Sequence, residues 1–260
     1  MNNSDFIEGV NLSNLCDYSF GDQASIICGI PGGWMKPANI SNQEFIDVLN
    51  YISKERNYMT LFIDNIRLYK RDIITKNESD KKWINNLMNE GDLFSLCSNF
   101  PNMNFIIYTN LEDTSIDQHI KNSIPNNVLR VYAANSVYND DRVIPFPYGI
   151  QRKLNHFDNK FDLLRIMSED INPINLLYVN HNVSTNVIER SGIYEIFENK
   201  QWSSVNKDRL DYDLFIRKIK EHKFMICPIG NAIDCHRNWE FLYLRRVPVM
   251  KKKRIFGKII

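Results

Sequence analysis

The sequence predicts an α/β protein built on parallel sheets. Short apolar runs of strand length recur along the chain, and segments with apolar residues at helical spacing separate them. That alternation is what a parallel sheet with crossover helices requires. The rhythm is most regular from about residue 158 onward.

Composition narrows the class. The 260 residues are 43% hydrophobic and 12% aromatic, enough for a packed core in one large or two smaller domains. A net charge of +1 gives no electrostatic case for a nucleic-acid partner. The N-terminal residues MNNSDFIEGV lack the basic start and apolar centre of a signal peptide, and no run approaches the roughly 20 apolar residues of a membrane span. Five cysteines without a CxxC argue against a disulfide framework or a zinc site. A cytoplasmic protein is the expectation.

Residues 1–24 are polar and irregular, and 25–30 (SIICGI) read as a strand stopped by Pro31-Gly32-Gly33. That glycine pair either makes a plain turn or lets backbone approach a ligand. Ser41 or Asn42 caps a helix whose apolar positions include Phe45, Val48, Leu49 and Ile52. Residues 60–64 form a second strand, and Trp83, Leu87, Leu93 and Leu96 suggest helices interrupted at Gly91. The apolar run 104–108 is a strand followed by a polar loop through Asn110 and Asp113, after which Ser115 or Asp117 starts a helix. Such a loop lies at the carboxyl end of its strand, where ligands gather in open α/β sheets. Asp113 either caps that helix or faces a ligand. Residues 128–135 are another strand. Asp140-Asp141 lies in a turn and lacks the Asp-x-Asp spacing of a metal site. Residues 143–150, with Pro145 and Pro147, read as a stiff passage between two halves.

In the second half, helical patterns near 161–167, 185–197 and 209–221 alternate with strands at 175–180, 201–205 and 223–229. The loop 180–186 carries Asn180, His181, Asn182 and Asn186, and Arg190 follows; Glu189 and Arg190 form either a solvated pair or part of a binding mouth. The loop 230–234 (GNAID) leads into a helix in which Trp239, Leu242 and Tyr243 share one face, while Arg237 and Glu240 project together from another. Val247-Pro248-Val249-Met250 closes the segment as a short strand whose proline suits an edge. This strand, glycine-bearing loop and polar helix start make a pocket for a charged ligand: helix amides for an anion, a fork of donors from Arg237, and an acceptor in Glu240. Alone, His181 and His236 read as hydrogen-bonded structural residues, and Cys227 with Cys235-His236 has no metal-ligand spacing. No G-x-G-x-x-G is present, so a nicotinamide dinucleotide site has no support.

Pro228, Gly230, Asp234, Arg237, Glu240 and Pro248-Val249 resemble the C-terminal motif of exostosin-like glycosyltransferases, most closely those of bacterial polysaccharide synthesis. Asn110 with Asp113, the Pro145-x-Pro147-x-Gly149 passage and Arg190 stand where similar enzymes carry related features, although Thr109 occupies a position where those relatives often have His. The resemblance covers roughly 100–250 and is strongest over 224–250. It implies a GT-B-like α/β fold: two Rossmann-like domains with parallel sheets facing a cleft, an acceptor-side domain over 1–150 and a donor-binding domain over 151–260.

The implied activity is inverting, metal-independent transfer from a nucleotide sugar to a glycan or lipid-linked acceptor, with no cofactor. Asn180, Asn182, Asn186, Arg190, Gly230, Asn231, Asp234, His236, Arg237 and Glu240 would bind the donor, and Asn110 would lie on the acceptor side. Inversion implies a carboxylate base, for which Asp113 is the candidate, with Asp64 and Asp117 behind it. The basic run 251–254 is a solvated tail or a weak attachment to the inner face of a membrane carrying the acceptor. Relatives continue past the Pro-Val strand, whereas this sequence ends ten residues after Met250, so the donor domain is expected to be truncated or shortened. An inactive homologue that binds nucleotide or glycan, or acts as a partner subunit, is the alternative, and a nucleotide-binding α/β regulator is a third reading.

Overall fold

A computed structural model describes residues 15–19, 42–63, 93–109, 116–138, 140–150 and 158–251, with backbone alone for Ser19, 42–44 and 158–162. The expected strand over 25–30, the Pro31-Gly32-Gly33 turn, Asp64, Trp83, Leu87, Asn110, Asp113 and residues 252–254 lie outside the described residues. The protein is α/β, and two compact units divide between Pro147 and Tyr148.

The first unit holds a parallel sheet of five strands in the order β1 to β5: Tyr18–Ser19, Tyr58–Ile63, Asn104–Thr109, Val128–Ala133 and Val143–Pro145. Alternation assigns its faces. In β3, Phe105, Ile107 and Thr109 are buried while Asn104, Ile106 and Tyr108 are half-buried. The buried face packs against α1 (Asn42–Ile52) through Phe45, Leu49 and Ile52, and against α2 (Leu93–Ser98) through Leu93, Phe94 and Cys97. The strand register shifts between Phe105 and Ile106, which pair with Val128 and Arg130, leaving Leu129 as an extra residue in β4. The short helix α3 (Gln118–Asn122) begins at Asp117, whose carboxylate accepts from the Ile120 amide at 2.9 Å.

One expectation changes here. Residues 143–150 are not all connector: Val143–Pro145 is a strand pairing with β4, and Pro145 ends it where no ladder donor is needed. Asp140 serves that strand's entry, accepting from the Arg142 and Val143 amides at 2.9 Å and pairing with Lys121.

The second unit holds a parallel sheet in the order β7-β6-β8-β9, from Asn175–Val179 (β6), Ser203–Val205 (β7), His222–Ile226 (β8) and Val247–Val249 (β9). On one face, α4 (Asp158–Ser168), α7 (Tyr212–Lys220) and α8 (His236–Tyr243) bury Leu163, Ile166, Phe215, Ile216, Ile219 and Phe241 with Tyr178 and Met225. Lys220 ties two of these helices together. Its buried ammonium donates to the carbonyls of Ile166, Met167 and Glu169 at the C-terminal end of α4, where the helix dipole is negative.

The helix expected over 185–197 is broken. Asn182 and Asn186 each cap a separate turn, Val183–Thr185 and α5 (Val187–Arg190), and Gly192 at φ 78° reverses the chain before α6 (Ile193–Phe197). The expected apolar face of α8 also shifts. Phe241 and Leu244 are buried, with Trp239 and Tyr243 half-buried against them, while Leu242 is 50% exposed. Helix α8 ends with Arg246 N–H bonded to the Phe241 carbonyl and Arg245 N–H to that of Leu242, both at 2.9 Å. That closure places Arg245 at φ 57°, where glycine is favoured and another residue costs about 1 kcal/mol. Edge strand β9 accommodates Pro248. Among the described residues no helix is long and apolar enough to cross a membrane.

Candidate functional site

In the second unit the chain leaves β6 toward one sheet face and β8 toward the other. Tyr194 and Phe197 of α6 pack with Leu177 and Val179, whereas Phe241 of α8 packs with Tyr178 and Met225. These neighbouring strands therefore open a crevice at their carboxyl ends, the switch point where ligands bind in such sheets. Eight of the ten residues expected to bind a donor lie in the two loops and at the start of α8; Arg190 ends the one-turn helix α5, and Glu240 sits one turn into α8.

Most of the loop residues hold the crevice in shape. The Asn180 amide donates to the carbonyls of Asn206 and Asp208, both at 2.9 Å, fixing the end of β6 to the loop after β7. Asn182 accepts from the Ser184 amide and hydroxyl, and Asn186 accepts from the Glu189 amide while donating to the Gly230 carbonyl at 2.8 Å. Asn186 thus stitches the two loops together.

Arg190 is a second stitch. Its side chain, in a residue only 8% exposed, donates from Nε to the Ile229 carbonyl and from Nη1 to that of Asn182, both at 2.8 Å, and from Nη2 to that of Pro228 at 3.4 Å. Gly230 permits this approach: a Cβ there would stand 3.1 Å from Arg190 Nη2 and 3.2 Å from Cys235 Sγ.

Asp234 is a hub beneath the loop. Its Oδ2 accepts from the Tyr148 amide at 2.9 Å and the Trp239 indole at 2.6 Å, and its Oδ1 from the Cys235 amide at 2.9 Å and the Asn238 side chain at 3.0 Å. Burial pushes this carboxyl above its usual range, and the four donors pull the other way. His236 donates from Nδ1 to the Gly149 carbonyl at 2.8 Å with its ring against Tyr148. Asn231 is exposed at the loop tip. Glu240 is buried and accepts from the Tyr212 hydroxyl at 3.2 Å.

Arg237 differs from these. It makes one hydrogen bond, from Nη1 to the Asn180 carbonyl, and lies 4.9 Å from the centre of the Phe215 ring. Arg237 and Arg190 reach the carbonyls of Asn180 and Asn182, two residues apart, and the Arg237 charge acts on Arg190. Among the described residues neither pairs with a carboxylate. Burial first, and then the Arg237 charge, lower the Arg190 pKa. The N-cap of α8, Cys235, offers no side-chain acceptor to the first-turn amides. The result is a crevice whose two guanidiniums have no ion-paired carboxylate among the described residues, with Asp234 and Glu240 acting on the same neighbourhood, and its free donors suit an anion.

His181 lies between the two residues whose carbonyls the arginines reach, and it is a hydrogen-bonded structural residue, as its place in the sequence suggests. Its buried ring stacks on Tyr194 at 4.3 Å, donates from Nε2 to the Arg190 carbonyl at 3.3 Å, and leaves Nδ1 without a partner. Burial, followed by the charges of Arg190 and Arg237, lowers its pKa to about 4, so the ring is neutral.

Among the described residues no group of three or more His, Cys, Asp or Glu could hold a metal ion. No protein-family model matches the chain, and no curated protein matches it.

Proposed function

We propose that the chain is a glycosyltransferase of the exostosin-like GT-B type, moving a sugar from a nucleotide-sugar donor to a glycan or lipid-linked acceptor by inverting, metal-independent transfer. The observation carrying this reading is the Arg190–Arg237 pair, two guanidiniums at neighbouring strand ends with no carboxylate partner among the described residues. A departing nucleoside diphosphate is the anion such a pair would receive. Arg237 would touch it with the rest of its fork, beside the first-turn amides of α8. Arg190, already committed to three carbonyls, would act as a fixed charge behind it. Glu240, one turn along α8, would orient sugar or ribose hydroxyls. A cytoplasmic position at the inner face of a membrane would bring a lipid-linked acceptor within reach.

The base would be Asp113 or Asp64. Asp117 is the weaker choice, because its carboxylate caps α3. That commitment also leaves a second reading, a nucleotide- or glycan-binding homologue without transferase activity, since Asp117, one of the three candidate carboxylates, serves structure. Thermal unfolding against a panel of nucleoside diphosphates and nucleotide sugars tests the shared premise. A stabilising nucleotide whose effect disappears in Arg237→Ala supports the crevice, and no stabilisation by any nucleotide overturns both readings. Slow hydrolysis of the preferred donor, lost in Asp113→Asn, separates enzyme from binding protein.

A further inference from the structure

Away from the crevice, helices α4 and α8 leave a groove of about 840 Å³ between them. Leu164 and Met167 form one wall and Trp239, Leu242 and Tyr243 the other, with Arg245 at the end of α8. The wall carrying Trp239 is rigid, because its indole is bonded to Asp234. Leu242 is half exposed, so the apolar lining is open to solvent.

The groove's charge is one-sided. It has no acidic lining residue, and among the described residues Arg245 forms no ion pair. Neighbouring Arg246 is different, since its guanidinium donates to the carbonyls of Lys220 and Ile171. Arg245 also occupies a left-handed backbone position, φ 57°, that glycine would fill without strain.

We infer that this groove binds one single-chain anionic amphiphile, its alkyl chain lying between Leu164, Met167, Trp239 and Leu242 and its anionic head on Arg245. The volume falls within the range of small-molecule sites, and an apolar trough ending in a lone guanidinium matches an apolar chain ending in a charge. This site uses none of the crevice residues that contact the proposed donor, so its test and that of the transferase reading fail independently.

The experiment is calorimetric titration of the full chain with monomeric decyl phosphate below its micelle concentration, alongside octyl phosphate and the uncharged decyl glucoside. The expected result is one site per chain. Shortening the chain by two methylenes weakens binding by up to about 15-fold, from about fourfold per fully buried methylene. Arg245→Gly relieves the strained backbone, so it folds, and it loses at least tenfold affinity for decyl phosphate while leaving decyl glucoside unchanged. Leu242→Asp, at a half-exposed position, weakens both ligands. The inference is overturned by no saturable binding, by several equivalent sites, or by affinities that neither substitution changes. It is equally overturned if the chain binds only anionic vesicles, or if Leu242→Asp abolishes a concentration-dependent dimer, which would give the groove to a membrane or to a second copy.

Discussion

Replacing Arg237 with alanine should separate ligand binding from stability, because the structure gives this side chain little to hold in the free protein. It contributes one hydrogen bond to the Asn180 carbonyl and one contact with the Phe215 ring, each worth about 1 kcal/mol. Relief of its repulsion with Arg190 offsets part of that loss. The free variant should therefore lose no more than about 2 kcal/mol. Binding should change more, since a charge-assisted contact to a phosphate is worth about 1.5–3 kcal/mol, or about 10- to 150-fold in Kd. With nucleotide at 100 times its Kd, the parent protein gains about 2.7 kcal/mol. At the same concentration a tenfold weaker variant gains about 1.4 and a hundredfold weaker one about 0.4 kcal/mol. At about 2–4 °C per kcal/mol, a shift in Tm of roughly 5–11 °C should shrink to roughly 1–6 °C. Differential scanning fluorimetry with the best nucleotide, checked by calorimetry, reads both quantities. An undiminished shift in Arg237→Ala would refute the anion role. A free variant as unstable as a core truncation would show that Arg237 is structural, like Arg190.

Three further outcomes follow from the same coordinates. His181 has a pKa lowered to about 4 from its ordinary 6.5, so its stabilising effect is complete above pH 6.5 and is lost as pH falls toward 4; urea unfolding at pH 5 should show about 2 kcal/mol less stability than at pH 7. His181→Gln should remove most of that slope, leaving the part from His222, whose pKa burial also lowers, and an unchanged slope would reject the assignment. Gly230→Ala should cost about 1–3 kcal/mol and weaken nucleotide binding, because Arg190 is pinned by three carbonyls and cannot yield to a Cβ 3.1 Å away; equal stability by chemical denaturation would count against that clamp. Lys220→Met should cost about 2–4 kcal/mol in urea unfolding, since it strips the donor from three carbonyls ending α4, and a neutral result would mean water replaces the ammonium readily.

The strand and helix sequence of the second unit was legible because each element carries its own period. Asn175–Val179 and His222–Ile226 are apolar runs, and Tyr212–Lys220 buries Phe215, Ile216 and Ile219 at helical spacing. Where side chains rather than periodicity decide, sequence fell short. The run after Asn182 has a continuous helical pattern, yet two asparagine caps and Gly192 divide it into three turns. Pro145 read as connector because proline marks breaks, but its neighbours Val143 and Ile144 pair with β4. The crevice followed from a general property of parallel sheets and was legible as a place; the partners of each side chain within it were not.

Arg190 and Arg237 show why that distinction matters for chemistry. Both are arginines on the first helix after a strand end, and no local pattern separates them. What separates them is the path of the opposite loop: 228–230 turns three carbonyl groups and an open glycine position toward α5, so Arg190 is drawn in while Arg237 finds a single carbonyl at Asn180. The carbonyls that hold Arg190 are dipoles, not counter-charges, so they fix its position without neutralising it. The crevice therefore retains most of two positive charges, held in place before any ligand arrives. A neutral His181 beside them adds no third charge at pH 7. An anion entering there would need no rearrangement of Arg190 and only a local one of Arg237, which is electrostatic preorganisation toward negative charge.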